Sequence, residues 1–571
     1  MKASDWIADF VAAQGTSRAF EVVGGMIAHL VDSFHRRGAP GLVSVRHEQG
    51  AAFAADAWGR VAGTPGVAMA TSGPGAVNLL TGVGSCHFDS SPAVFITGQV
   101  NLHEQKGARG VRQLGFQETD VVAMAGPVTK AAYRVTKAED IAPTLERAFR
   151  VALSGRPGPV LVDIPMDLQR ADLKDPVRRV VAEPGRRAPA GSVAAALAVI
   201  AKAERPLILV GGGLRASRAR AAFRAFVEAL GAPVIHSLMA VDALPGGHPL
   251  RAGLIGSYGN RWTNLAMGRA DAVLVLGSRL DIRQTGADVE SWRKGRTIVH
   301  VDADASEMNN RVPGCTTVHA DLAAFLEEAA PLAAGAGRDR SAWLAEIDGL
   351  RRQWPEENEL AGLQGVNPNL FMRELSAASG AAAGWCVDVG QHQMWAAQSA
   401  RLTPAQEFHT SGGMGAMGFA LPAAMGAVFA SGGKPWLAVA GDGGFQLNVQ
   451  ELQTIAHHKL PVKMVVLDNE CHGMVRQFQE SYFDARYGST VDGYSAPDFV
   501  AVAKAYGIGA ARVEGPAGVA AGLAALWKDP TAPFLLEVAV PMTANAYPKI
   551  AFGRPMTDME PQVKPTEMEG T

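Results

Sequence analysis

The chain alternates two apolar patterns. Short continuous runs of aliphatic and β-branched residues, at 42–45, 67–70, 93–97 and 160–164, read as strands buried on both faces. Between them, apolar positions recur at helical spacing, and strands that alternate with helices predict parallel sheets with crossover connections. The alternation resumes with a helix and PLILVGGGLRAS, followed by runs at 272–276 and 297–301, and again with runs at 385–389, 436–440 and 462–467. Two stretches interrupt it. DLKDPVRRVVAEPGRRAPAG (172–191) is polar, basic and proline-containing and reads as a linker. A charged helical stretch at 338–358 leads through GLQGVNPN into the last unit. The expectation is an α/β protein with three doubly wound parallel-sheet domains, at 1–170, 190–335 and 366–550, and a C-terminal tail at 551–571. No short repeat is visible, so any relation between the first and third units is structural only.

Length agrees with that division. At roughly 100–200 residues per domain, 571 residues make about three. With 48% hydrophobic and 19% charged residues, the chain is not disordered, and a net charge of −2 leaves no basic field for nucleic acid. Cys86, Cys315, Cys386 and Cys471 form no CxxC pair, which argues against a disulfide framework or structural zinc and fits a reducing cytoplasm. MKASDWIADFVAAQG carries Asp5 and Asp9 inside its apolar pattern and reads as an amphipathic helix, not a signal peptide. No apolar run is long enough to span a membrane. The 64 glycines call for tight turns and close backbone approaches.

The most informative stretch ends two neighbouring strands in polar residues. One run closes in Gly441-Asp442-Gly443-Gly444, with a helix pattern from near Asn448; the next, 462–467, closes in Asp468-Asn469. At the carboxyl ends of parallel strands these are hard oxygen donors suited to Mg²⁺ and phosphate, with glycine amides free to approach a diphosphate. Taken alone, GDGG is equally a structural turn.

The pair resembles the signature of thiamine-diphosphate (ThDP) enzymes, GDG followed by NN, with Asp468 in place of the first Asn. By that resemblance Asp442, Asn469 and the backbone carbonyl of Cys471 hold the metal. RHEQGA resembles the way the acetolactate synthase group writes its activating glutamate, Glu48, which orients the cofactor's aminopyrimidine. DVGQHQMWAAQ (388–398) and SGGMGAMGFALPAA (411–424) resemble the group's cofactor segments. They imply that Gly390, Gln391, His392 and Gly415 contact the cofactor, with Met417 as the apolar wedge that bends it. Gly441, Gly443, Gly444, His472, Gly473 and Met474 complete the cofactor site. TSGPGAVN (71–78) and GFQET (115–119) fit the same pattern, placing Gln117 near the thiazolium. Gln117 and His392 are the polar helpers of Glu48. Arg156 in SGRPGP, Gly211-Gly212-Gly213 and Arg279 in LGSRLDIRQTG resemble flavin-binding members and imply a non-redox FAD, with ADP or an empty site as alternatives. The family further implies a homodimer or homotetramer with active sites at subunit interfaces.

The resemblance places Gly25, Phe116, Met166, Met474 and Phe478 along the substrate channel, and three departures fall there or nearby. Met166 stands where the group usually has Lys, Phe478 where MVxQW has Trp, and RLDIR (279–283) loses the second acid of RFDDR. One reading is drift among pyruvate-only enzymes; the other is a larger or uncharged acceptor such as a ketone or keto-sugar. The implied activity is a carboligase: pyruvate or a close 2-keto acid loses CO₂ and its acyl-anion equivalent is transferred to a second carbonyl. The alternatives are a 2-keto acid decarboxylase or C–C lyase, a flavin-dependent pyruvate oxidase, and, from another class, a cofactor-binding scaffold without turnover.

Overall fold

A computed structural model describes residues 1–566. The first sheet contains β1 (Arg18–Val22), β2 (Gly41–Ser44), β3 (Gly66–Ala70), β4 (Ala93–Gln99), β5 (Ala131–Arg134) and β6 (Pro159–Pro165), in the order β2-β1-β3-β4-β6-β5. The second contains β7 (Pro206–Val210), β8 (Val234–His236), β9 (Arg251–Leu254), β10 (Ala272–Leu276), β11 (Thr297–Asp302) and β12 (Thr316–His319), in the order β12-β11-β10-β7-β8-β9. The third contains β13 (Gly384–Val387), β14 (Glu407–Thr410), β15 (Trp436–Gly441), β16 (Val462–Asp468), β17 (Gly509–Val513) and β18 (Phe534–Ala539), in the order β14-β13-β15-β16-β18-β17.

Every neighbour in the three sheets is parallel. The α/β expectation holds. Sheets one and three share one strand order, a structural kinship the sequence does not display; the central sheet has the dinucleotide-fold order. β4, β6, β15 and β16 are buried along their whole length, which is why their sequences are apolar runs without alternation.

Helices from the first and third units share one core. The helix Glu48–Ala62 lies against Ala420–Ala430, with Phe53 and Phe419 edge to face at 5.5 Å. The approach is close enough that a Cβ on Gly426 would sit 2.2 Å from the carbonyl oxygen of Ala54, so Gly426→Ala cannot be accommodated without backbone movement. Arg60, on the first of these helices, ties the first unit to the third, binding Asp56, Asp89 and the Thr410 carbonyl while almost wholly buried. The stretch 172–191 has almost no regular structure but runs along the first unit, where Trp6 donates to the Asp175 carbonyl and Gln14 to that of Arg178.

Two elements differ from expectation. The strand expected over 385–389 stops at Val387, because the Asp388 carboxylate collects the amides of Val389, Gly418 and Ala420 at 2.8–2.9 Å and turns the chain. The helix expected from Asn448 begins six residues earlier, as Asp442–Gln446. It breaks where Asn448 takes φ −132° and resumes as a tight turn, Val449–Glu451, and a helix, Leu452–His458.

Candidate functional site

In an open α/β sheet, ligands bind beyond the carboxyl ends of the strands where the strand order reverses. In the third sheet that crevice lies between β13 and β15. β13 delivers Gly390, Gln391 and His392; β15 delivers Asp442, Gly443 and Gly444; the adjacent β16 delivers Asp468 and Asn469.

Asp442 is buried, and the Tyr494 hydroxyl donates to its Oδ2 at 3.0 Å. Burial, reinforced by the Asp468 carboxylate, pushes the Asp442 carboxyl up to about 7. A buried carboxylate pair without a cation is unfavourable, and a divalent ion bound through oxygen relieves it. Asn469 donates its Nδ2 to Gln391 Oε1 at 3.1 Å, which leaves its Oδ1 as the oxygen free for a metal. Glu470 sits at φ +52°, a left-handed turn that swings the chain into Cys471. The Cys471 carbonyl accepts from the Gly473 amide at 2.9 Å, retaining a second lone pair, while burial pushes its thiol up to about 11. Among the described residues no group of three His, Cys, Asp or Glu side chains is placed for a metal, so Asn469 and backbone oxygen are needed in the donor set.

The surroundings are shaped for a group the chain does not itself supply. His392 is buried with no hydrogen-bond partner at Nε2, and burial lowers its pKa to about 3, so the ring is neutral. A Cβ on Gly473 would lie 2.0 Å from Gln391 Oε1, so a larger residue here would displace the Gln391 side chain that Asn469 binds. The His472 ring packs on Tyr494 at 4.4 Å. Gly415 and Gly418, at φ +70° and +84°, hold the turn carrying the half-buried Met417. These features fit a diphosphate cofactor.

The first sheet repeats the arrangement. Gly25 follows β1, Glu48 follows β2, the turn at 71–73 and the helix Pro74–Asp89 follow β3, and Met166 follows β6. Glu48 opens its helix behind the cap of His47, whose ring nitrogen accepts the Gln49 amide at 3.1 Å. The Glu48 carboxylate is buried and accepts from Asn78 Nδ2 at 3.0 Å. Gln117, at φ +65°, packs against the same turn: a Cβ on Gly73 would meet its side chain at 3.0 Å. A Cβ on Gly75 would lie 3.1 Å from the Glu48 carboxylate, so Glu48 and Gln117 meet the same turn-to-helix junction. Among the described residues no hydrogen bond joins either of them to the group around Asp442 and Asn469.

Channel residues are more open. Phe116 is 78% exposed, Gly25 is exposed and Met166 is half-buried. Met474 and Phe478, four apart on the helix Gly473–Tyr482, share a face, and Phe478 packs on Tyr482 with ring centroids 4.6 Å apart and planes tilted by 44°.

The central sheet has its own crevice, between β7 and β10, opening into a cleft. Gly212, Gly213, Arg156 and Arg279 line it. Gly211 does not; it packs on the Gly277–Ser278 backbone, where a Cβ would meet the Gly277 carbonyl at 2.4 Å. Both arginines are engaged: Arg156 with Glu307 at 2.6 Å and Asp304 at 3.3 Å, Arg279 with Asp281 at 2.9 Å.

Four contributors escape sequence reasoning. Asp388 stands inside a quoted motif, and its strand-end position is a usable signal. Asn78 likewise closes the motif TSGPGAVN, whereas Tyr494 and Glu451 act across the fold and leave no local trace.

Family models for thiamine pyrophosphate enzymes match in three blocks: the N-terminal TPP binding domain over residues 1–124, the central domain over 193–329 and the C-terminal TPP binding domain over 388–538. The chain belongs to the thiamine pyrophosphate enzymes. It is 36% identical over 562 residues to the acetolactate synthase isozyme 2 large subunit of Escherichia coli K12, covering 98% of this chain and 99% of that one. It is likewise 36% identical to the acetolactate synthase large subunit of Corynebacterium glutamicum, over 95% of this chain and 87% of that one. To a probable chloroplastic acetolactate synthase 2 of Oryza sativa it is 36% identical, over 96% and 84%. Within the class, the chain is a member of the acetolactate synthase family, a thiamine-diphosphate-dependent enzyme that forms carbon–carbon bonds.

Proposed function

We propose that the chain decarboxylates pyruvate or a close 2-keto acid and transfers the two-carbon fragment to a second carbonyl, using thiamine diphosphate and Mg²⁺. The observation that carries this reading is the pairing of two crevices of identical strand order, one holding the buried Asp442, Asp468 and Asn469, the other holding Glu48.

When bound, the cofactor supplies the nucleophilic carbon and the electron sink for decarboxylation. Asp442, Asn469 and the Cys471 carbonyl would hold Mg²⁺, and the amides around Gly443, Gly444 and Gly473 would receive the diphosphate. Met417 would press on the cofactor from its glycine-flanked turn. Glu48 would hold a proton against the aminopyrimidine, kept in place by Asn78. Neutral His392 and Gln117 would offer hydrogen bonds without adding charge. The active sites would be built from two copies, in a homodimer or homotetramer, as the resemblance implies. The central cleft would hold FAD or another adenine nucleotide in a non-redox role. Four buried, unpaired cysteines support a cytoplasmic setting. Among the described residues no helix is long and apolar enough to cross a membrane.

Met166 contributes no charge, and Phe478 lies on an open helix face, which favours an acceptor larger or less charged than a small keto acid. Incubation with pyruvate, cofactor, Mg²⁺ and a panel of keto acids, ketones and aldehydes, read by mass spectrometry, should give coupled products with the bulkier neutral carbonyls. Coupling restricted to small 2-keto acids would leave the pyruvate-only reading.

The raised Asp442 carboxyl sets a pH dependence. Its folded value, about 7, lies above the roughly 3.9 of an unfolded Asp, so the metal-free protein loses stability from this group as pH rises between those values. A bound cation removes that loss. The rise in Tm on adding cofactor and Mg²⁺ should therefore be larger at pH 8 than at pH 5.5; an equal or smaller rise at pH 8 would contradict the assignment.

A further inference from the structure

The residues that lead into Glu48 are held by a side chain from the other end of the chain. Glu451 is fully buried in the third unit. Its Oε1 accepts the backbone amides of Arg46 and His47 at 3.0 and 3.1 Å, and its Oε2 accepts the Thr454 hydroxyl at 2.8 Å. These amides flank a helix start, where no intrahelical partner exists for them. A Cβ on Gly50 would lie 2.7 Å from the same carboxylate oxygen, so the helix carrying Glu48 is seated directly on Glu451. Asn448 adds a second tie, donating to the Gly418 carbonyl at 2.8 Å and, at 3.4 Å, to Gln49, the residue after Glu48.

Glu451 also belongs to the segment that begins at Asp442 and passes through the break at Asn448. One short stretch thus runs from the candidate metal ligand to the clamp on Arg46 and His47. The geometry points to Glu451 as a positioning residue that sets the direction of the Glu48 carboxylate and ties it to the diphosphate site of its own chain. The inference rests on the reading of Glu48 as the activating acid. If Glu48 serves a cofactor held by a partner, the clamp links the two active sites of a dimer through one chain. The carboxylate needs no part in proton transfer for this. It supplies two acceptor lone pairs to amides that have no intrahelical partner.

The test uses full-length, cofactor-loaded protein. Displacement of a catalytic group by about 1 Å costs on the order of 10²-fold. Glu451→Ala should slow deuterium exchange at the thiazolium carbon of bound cofactor, and kcat, by about that factor. Glu451→Gln, which keeps one acceptor oxygen, should be slowed about tenfold. Cofactor Kd, pyruvate KM and subunit assembly should stay within about threefold. Wild-type exchange in Glu451→Gln, or a kcat loss explained entirely by weaker cofactor binding or by dissociation, overturns the inference; if Glu451→Ala does not fold, Glu451→Gln decides. Glu48→Gln run alongside separates the two claims. Exchange at the wild-type rate in Glu48→Gln removes the reading of Glu48 itself, whereas slow exchange there with normal Glu451 variants removes only the clamp.

Discussion

Glu48→Gln is expected to lower kcat about 10³-fold while cofactor affinity changes by less than about threefold, measured by steady-state turnover and by cofactor titration of the purified protein. The asymmetry follows from where Glu48 sits. It lies at the carboxyl edge of the first sheet and its own carboxylate bonds Asn78, not the glycines and oxygen donors that would grip a diphosphate. Glutamine keeps the shape and one acceptor but cannot carry the negative charge that a positioned acid supplies in the transition state. A variant with wild-type kcat would remove Glu48 from the chemistry; one losing kcat and cofactor binding together would make its role structural.

Asp442→Asn should behave in the opposite way. Losing one carboxylate from a buried cation site costs about 2–5 kcal/mol, so cofactor and Mg²⁺ affinity should fall by a factor of about 30 to several thousand. The metal-free variant should be at least as stable as the wild type, because the substitution removes a carboxyl that burial and Asp468 already disfavour in ionised form. Calorimetric titration measures the first effect and thermal unfolding of the metal-free protein the second. Unchanged Mg²⁺ affinity would contradict the metal assignment.

The two sets of effects show which parts of the site are legible in one dimension. Asp442 and Asn469 can be read because each ends an apolar run, and a strand end in a parallel sheet has a known destination. Glu48 can be read only through resemblance, since an acid in the first turn of a helix is ordinary on electrostatic grounds alone. Tyr494, 52 residues from the Asp442 carboxylate it bonds, and Glu451, more than 400 from the amides it holds, carry no local pattern. The same limit explains the central cleft. The sequence shows Arg156 and Arg279 near glycines, but not that Glu307, Asp304 and Asp281 already engage them. It also explains the misplaced helix start. Gly443 and Gly444 have low helical propensity, and tertiary contacts around Asp442 override it. The fold was easier to read than the site because buried parallel strands write themselves as apolar runs, whereas strand order depends on pairings that no single run encodes.

Carbon balance tests the central claim most directly. With pyruvate, cofactor, Mg²⁺ and the panel of carbonyl acceptors present, pyruvate itself included, a carboligase forms one coupled product for every CO₂ released, and the rest of the donor carbon appears in that product. One CO₂ per pyruvate, with acetaldehyde or with acetate and peroxide as the only other products, would contradict it.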